Sequence, residues 1–318
     1  TQAIKKVGIM SLVVYLMGVF YYCFAYLLRV YTGVLESHIL TELNVTASGF
    51  GMVTSIYYFS YAPMQVPVGV CVDKFGPRRS LLVACLVATL GAYGFAEAHT
   101  FAMALFCRFW IGFGCAFAYV TALKLAAMWL PRRYFATATG GVTALGMVSA
   151  IFTDNYLTHM VETHGAAAAM MLPVTAGIII FVLMLFLLHN RPRHSIAEQG
   201  GEHGEEHHAM SFAQLWVYLK QIIATRQLWV IGLVGALLYL PSSVFLDTWA
   251  IPYLKVAHGM TAHAAAKAVS LMFLGWITAS LASGFISDWV GNRRMPLLIA
   301  GLSSFVCSLV LLYVPGLS

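Results

Sequence analysis

The chain has 318 residues, of which 60% are hydrophobic and only 9% charged, with a formal net charge of +6; soluble domains run at roughly 45–50% and about 25%. So little charge cannot cover so much apolar surface in water, which excludes a soluble domain and leaves a multi-pass membrane protein. The positive balance does not mark a nucleic-acid binder, because its residues fall in connections between apolar runs.

A helix needs about 20 mostly apolar residues to cross hydrocarbon. Nine segments qualify, near residues 7–30, 49–72, 80–98, 101–130, 135–161, 166–189, 227–254, 263–288 and 296–314. The first is too long for the apolar stretch of a signal peptide and reads as a span. It is expected to continue as helix past Arg29 towards Ile39, because "RVYTGVLESHIL" holds no breaker except Gly33. The chain begins at Thr1 rather than Met, consistent with a trimmed start. The six cysteines lie in or beside apolar runs without a CxxC pair, so they read as small core residues rather than disulfides or metal ligands.

With a cytoplasmic N-terminus, the inner loops receive Lys5, Lys6, Lys74, Arg78, Arg79, Arg132, Arg133, Arg191, Arg193, Lys220, Arg226, Arg293 and Arg294, against Lys255 and Lys267 outside. That imbalance sets the orientation. The long polar connection after the sixth span divides the chain into a six-helix bundle (1–189), a cytoplasmic linker (190–226) and the first three helices of a second bundle (227–318). Within the linker, the His/Glu tract from Glu202 to His208 reads as solvated chain rather than a metal site. The following "SFAQLWVYLKQIIATRQ" has the periodicity of a helix lying on the membrane surface. No cofactor is called for.

Two loops carry one pattern, Gly-x3-Asp-x2-Gly-x-Arg-Arg: Gly69, Asp73, Gly76, Arg78 and Arg79, then Gly284, Asp288, Gly291, Arg293 and Arg294, offset by 284 − 69 = 215 residues. Both copies fall on the cytoplasmic side, so the second half restarts the first. Internal repeats in membrane proteins build transport paths at the repeat interface. The first glycine allows helices to approach, the aspartate can bond helix N-terminal N–H groups in the opposite half, and the second glycine permits a sharp turn. The arginines can pair with carboxylates or lipid phosphates. This is a cytoplasmic gate; plain positive-inside signalling would need the arginines alone.

On these motifs the chain resembles the major facilitator superfamily of secondary transporters. "RFWIGFG", with Arg108, Gly112 and Gly114, is similar to a second family pattern in the fourth span. Lys74 stands where the family has arginine, and the antiporter pattern is absent from "GMVSAIFTDNYL". The stretches "YYFSYAPMQVPVGVCVDKFGPRR", "ALKLAAMW" and "TWAIPYL" resemble a bacterial branch of amino-acid importers and a lysosomal peptide-carrier type. The resemblance implies an all-α membrane fold of twelve spans, of which nine are present, so the biological chain is expected to continue past Ser318. It also implies a location in the bacterial inner membrane, as a monomer.

Ionisable groups at membrane depth are costly and default to functional candidates. Tyr22, Tyr26, Arg29 and Gly33 recur at i, i+4, i+7 and i+11 and share a face of the first span. That face is suited to fork onto a carboxylate or phosphate, and in anion-handling branches of the family an arginine near this place contacts substrate. The plainer alternative is an arginine reaching for the outer interface. Arg108 and Tyr119 share a face of the fourth span. The resemblance gives Arg108 a coupling or cavity role, and pairing with a carboxylate or carbonyl to stabilise the bundle is the alternative. Lys124 can meet substrate from the cytoplasm or reach for the interface. Tyr58, Tyr61 and Gln65 line one side of the second span, as cavity wall or as packing. Asp247, Asp154 and Glu36 are the acids able to carry a proton; the alternatives are to neutralise an arginine or to sit in wet headgroups, Glu36 being the first candidate for plain exposure, and Asp247 ranks first as a proton carrier. Together these features give a transporter of a small carboxylate-bearing solute (amino acid, peptide or organic acid) driven by protons. The alternatives are a sensor or assembly partner of the same fold, and an uncoupled facilitator. No Gly-x4-Gly-Lys-Ser/Thr loop or His-Glu-x2-His cluster points to an ATPase or an enzyme.

Overall fold

Apolar runs interrupted by glycine, proline and polar residues fold into helices whose ends fall at those interruptions. The computed structural model describes residues 9–131, 134–189, 220, 223–290 and 294–313; for 136, 280–290, 294, 296, 297 and 311–313 it describes the backbone alone. Described elements are α1 (Ile9–Val34), α2 (Glu36–Glu42), α3 (Ala47–Phe75), α4 (Pro77–Ala96), α5 (Phe101–Cys115), α6 (Phe117–Trp129), α7 (Phe135–His164) and α8 (Ala166–Leu187). Then follow α9 (Arg226–Leu240), a π-helical stretch (Pro241–Trp249), α10 (Ala250–His258), α11 (Ala262–Val290) and α12 (Arg294–Tyr313). There is no strand among the described residues.

The expected continuation of the first span holds: Leu35 is a turn residue whose N–H still reaches Tyr31 O at 3.3 Å, and α2 follows directly. The fourth span is likewise one run broken only at Ala116, whose N–H reaches Gly112 O at 3.1 Å. The seventh span widens at Pro241, which has no N–H to give to the helical ladder; such π turns commonly sit at functional sites. Between α3 and α4, Gly76 takes φ 82° and Pro77 opens the next helix, the sharp turn expected of the motif.

Six runs among the described residues are long and apolar enough to cross a membrane: Ile9–Val34, Pro77–Ala96, Phe101–Trp129, Ala166–Leu187, Arg226–His258 and Ala262–Ala279. The chain is therefore a multi-pass membrane protein. Helices α3 and α7, at 29 and 30 residues, match these in length but fall short in hydropathy. The reason is visible in what they carry: Tyr57, Tyr58, Tyr61 and Gln65 on α3, Asp154 and Asn155 on α7. The expected total of nine crossing helices thus rests on these two and on α12, whose shorter apolar part is Leu298–Val310.

Helix α1 forms the axis of the first half, buried along most of its length from Val14 to Gly33 and packed against α6, α7 and α8. Side-chain hydroxyls tie it to neighbours by bonding backbone carbonyls: Tyr15 to Ala138 and Tyr21 to Gly114, both at 2.9 Å, and Ser149 to Cys23 at 2.8 Å. Small residues bring backbones close. A Cβ on Gly112 would lie 2.2 Å from Tyr57 O, which seats α5 against α3.

The second half meets the first along α1 and α7. Thr248 of the π stretch lies so near α1 that a Cβ on Gly33 would sit 2.8 Å from its carbonyl oxygen. Phe50 of α3 packs edge-on against Trp249, and Asn155 of α7 donates to Ser270 Oγ of α11 at 2.6 Å. These contacts lie on the side of the bundle where α1 ends at Val34, or at mid-depth.

Candidate functional site

Helical spacing on α1 delivers Arg29 to the seam between the halves, and the π stretch delivers Asp247 opposite it. Arg29 is only 7% exposed and Asp247 4%, with Arg29 Nη1 3.9 Å from Asp247 Oδ2. The same Nη1 donates to the Tyr239 hydroxyl at 3.2 Å. The guanidinium is walled by four tyrosine rings, at 4.8 Å from Tyr26, 5.0 Å from Tyr61, and 5.9 Å from both Tyr57 and Tyr58. Such faces hold a cation at little desolvation cost. Tyr58 donates to Ser243 O at 3.0 Å and to Asp247 Oδ2 at 3.4 Å, joining α3 to the seventh span. Arg29 Nε is buried without a hydrogen-bond partner, so the fork retains an open donor. An arginine reaching out to the interface would not be enclosed like this.

Arg108 is 1% exposed. Its Nη1 donates to Leu28 O of α1 at 2.9 Å, the carbonyl pairing weighed from the sequence. Its guanidinium faces Tyr57 at 5.0 Å, Tyr31 at 5.6 Å and Phe95 at 5.8 Å. Tyr57 thereby stands between the two arginines, stacked on Tyr61 at 5.7 Å, with its own hydroxyl buried and unpartnered. Tyr22 sits one turn below Tyr26, edge-on to it at 5.3 Å, and touches the Tyr119 ring at 5.5 Å. Gly146 of α7 accommodates both rings of α1, since a Cβ there would meet Tyr22 at 2.5 Å. Gln65 lies further along α3, half-buried, with Nε2 lacking a partner.

The remaining candidates lie elsewhere. Asp154 is buried on α7 beside Asn155, at the seam with α11. Glu36 is part-exposed in the first turn of α2. Lys124 does not join the arginine cluster; it pairs with Asp73 at the far end of α3 and α6, each residue about two-fifths exposed. Among the described residues, the aspartate of the loop motif is thus paired with a lysine of its own half. Gly69 stands in open space, with nothing within 4 Å of a Cβ built there. Arg78 donates to Leu185 O at 2.9 Å, in the last turn of α8, where a cation complements the helix dipole. In the second copy, Gly291 and Arg293 lie outside the described residues, and Gly284, Asp288 and Arg294 are described only as helix backbone. The Glu202–His208 tract and residues 211–219 also lie outside the described residues.

Sequence reading missed Tyr57 and Tyr239; Trp276, which the sequence allows as core or cavity, stands with its ring 6.0 Å from that of Tyr239. The i, i+4 spacing of Tyr57 and Tyr61 was the available signal for the first. Nothing local announced Tyr239, because its role depends on the turn that follows it.

A profile of the Major Facilitator Superfamily matches residues 14–318. Among curated proteins, the chain is 27% identical over 287 residues to a probable sulfoacetate transporter of Cupriavidus necator, covering 86% of this chain and 65% of that protein. It is 23% identical over 295 residues to a probable galactarate/D-glucarate transporter of Escherichia coli K12 (86% and 66%). It is 26% identical over 319 residues to a D-galactonate transporter of Escherichia coli O6:H1 (90% and 69%). The chain therefore spans about two thirds of the length of the curated relatives it matches. Among solved structures, a bacterial homologue of the human lysosomal transporter Spinster, inward-facing and unoccupied, gives a TM-score of 0.68 at 14% identity, covering 88% of this chain and 63% of that one. A D-xylose–proton symporter gives 0.59 at 13% identity (87% and 68%).

Proposed function

The chain belongs to the major facilitator superfamily, a family of transporters rather than enzymes, and from that premise we propose that it carries a small organic acid across a bacterial inner membrane together with protons. Nine helices cross the bilayer with the N-terminus in the cytoplasm, as residues 1–189, a linker 190–226 and the first part of a second bundle from 227, acting as a monomer. The observation that carries this reading is Arg29, enclosed by tyrosines at the seam of the halves with one donor open and Asp247 opposite. A guanidinium so placed suits a carboxylate. Relatives named for sulfoacetate, glucarate and galactonate favour an organic acid over the amino acid or peptide that the sequence resemblance also allows.

Asp247 acts as an internal anion, and substrate and aspartate compete for Arg29. A proton reaching Asp247 frees the guanidinium, the acid binds, and the pair can be carried without a net buried charge. Tyr22, Tyr26, Tyr58, Tyr61, Gln65 and Tyr119 line the path, and Arg108 braces α1 from behind. The described contacts between the halves gather on the Val34 side and at mid-depth. These contacts support a state closed on the outer side. On rocking to the other state, Asp73 leaves Lys124, and both loop motifs, Gly69 to Arg79 and Gly284 to Arg294, close the inner side.

The test is uptake of D-galactonate by the full-length protein in proteoliposomes under an imposed pH gradient. Accumulation that collapses with the gradient and is lost in Arg29→Gln supports the reading. Accumulation indifferent to the gradient returns it to a facilitator, and binding without flux to a sensor.

A further inference from the structure

Among the described residues four charged side chains are buried: Arg29 and Arg108, Asp154 and Asp247. Two cations face two carboxylates, so the interior balances when all four are ionised. Only Arg29 and Asp247 form an ion pair with each other; Arg108 is held by a carbonyl, and Asp154 has no cation within 4 Å among the described residues. Asp154 is therefore not accounted for by bundle stabilisation. It sits on α7 next to Asn155, whose amide bridges to Ser270 of α11 across the seam.

Net charge inside a low-dielectric bundle is strongly disfavoured. Each negative charge that enters with a substrate must then be met by one proton on a buried carboxylate. Asp247, which competes directly for Arg29, supplies the first. A substrate with two negative charges needs a second acceptor, and Asp154 is the other buried carboxylate among the described residues.

We propose that Asp154 is a specificity-determining residue: it takes the second proton that lets the carrier accept a dianion, whereas Asp247 alone serves a monoanion. This rests on the reading of the chain as a proton-coupled organic-acid carrier. It assigns the two aspartates different work. Asp247 couples every cycle through Arg29, and Asp154 sets how many carboxylates the cargo can have. The balance is explicit: a monoanion crosses with one proton and a dianion with two, and neither cycle moves net charge.

The experiment uses the full-length protein in proteoliposomes, with D-galactonate as monoanion and D-glucarate as dianion, an internal pH dye and a clamped membrane potential. The wild type is expected to take up one proton per galactonate and two per glucarate, without current. Asp154→Asn is expected to lower glucarate uptake by about tenfold or more while leaving galactonate within about twofold, and Asp154→Glu to restore glucarate. One proton per glucarate in the wild type overturns the inference regardless of how the variants fold. So does an equal fall for both acids in a well-folded Asp154→Asn, or no fall for glucarate. If the wild type carries both acids with one proton, this inference alone fails; if it carries neither, the transport reading fails with it.

Discussion

Gly33→Ala places a methyl group where the two halves touch. The new Cβ would lie 2.8 Å from Thr248 O, a backbone atom that cannot rotate away. Ordinary contact begins near 3.4 Å, so the π stretch must retreat by about 0.6 Å (3.4 − 2.8) or the halves must part. Overpacking of this kind costs about 1–3 kcal/mol, and the cost falls only on the state closed at the Val34 side. The equilibrium between the two access states should therefore shift by about 5- to 150-fold towards opening on that side. Spin labels on Ser37 of α2 and Val256 of α10, both exposed, report the gap in a cysteine-free background. The expected result is growth of the longer-distance population in Gly33→Ala. Gly69→Ala, which meets nothing within 4 Å in this state, should leave that distance unchanged or shortened. A distance distribution identical to wild type in Gly33→Ala would refute the close seam.

Three further outcomes follow from the same contacts. Asp247→Asn removes the competitor of Arg29, an attraction of about 4 kcal/mol at 3.9 Å and an effective dielectric of about 20 before desolvation is counted. Titration calorimetry with galactonate at neutral pH should show affinity raised by about tenfold or more, and pH-driven accumulation should vanish; an affinity that falls contradicts the competition. Lys124→Gln frees Asp73 without touching the arginine cluster, so galactonate affinity should stay within about twofold while turnover changes; a large loss of affinity would restore Lys124 to the binding site. Gly112→Ala would meet Tyr57 O and Ser60 Oγ at 2.2 Å and should destabilise the first half by about 1–3 kcal/mol or more, read as a lowered melting temperature in detergent; an unchanged melting temperature would deny the α3–α5 approach.

Much of the architecture was legible because apolar length and helical period are local properties. Every expected span corresponds to described helix, and the face Tyr22–Tyr26–Arg29–Gly33 emerged from spacing alone. The roles on that face then diverged for reasons no local rule contains. Gly33 lies where Thr248 of the other half comes closest, and Tyr57, one residue from an expected wall residue, turned out to stand between two arginines. Lys124 and Asp73 are 51 residues apart, and only the packing of α3 on α6 brings them together. The π stretch was equally hidden: Pro241 marks a disturbance, but the widening that aims Asp247 at α1 depends on the partner helix. Reduced hydropathy on α3 and α7 was the one compositional trace of the polar residues they carry to the seam.

The central claim is that Arg29 holds the carboxylate of an organic acid at the meeting of the halves. Calorimetric titration of galactonate into full-length wild type, Arg29→Lys and Arg29→Gln addresses it most directly. A lysine keeps the charge but loses the fork, so affinity should fall stepwise, by about tenfold in Arg29→Lys and beyond detection in Arg29→Gln. Galactonate binding to a folded Arg29→Gln protein as tightly as to wild type would contradict the account.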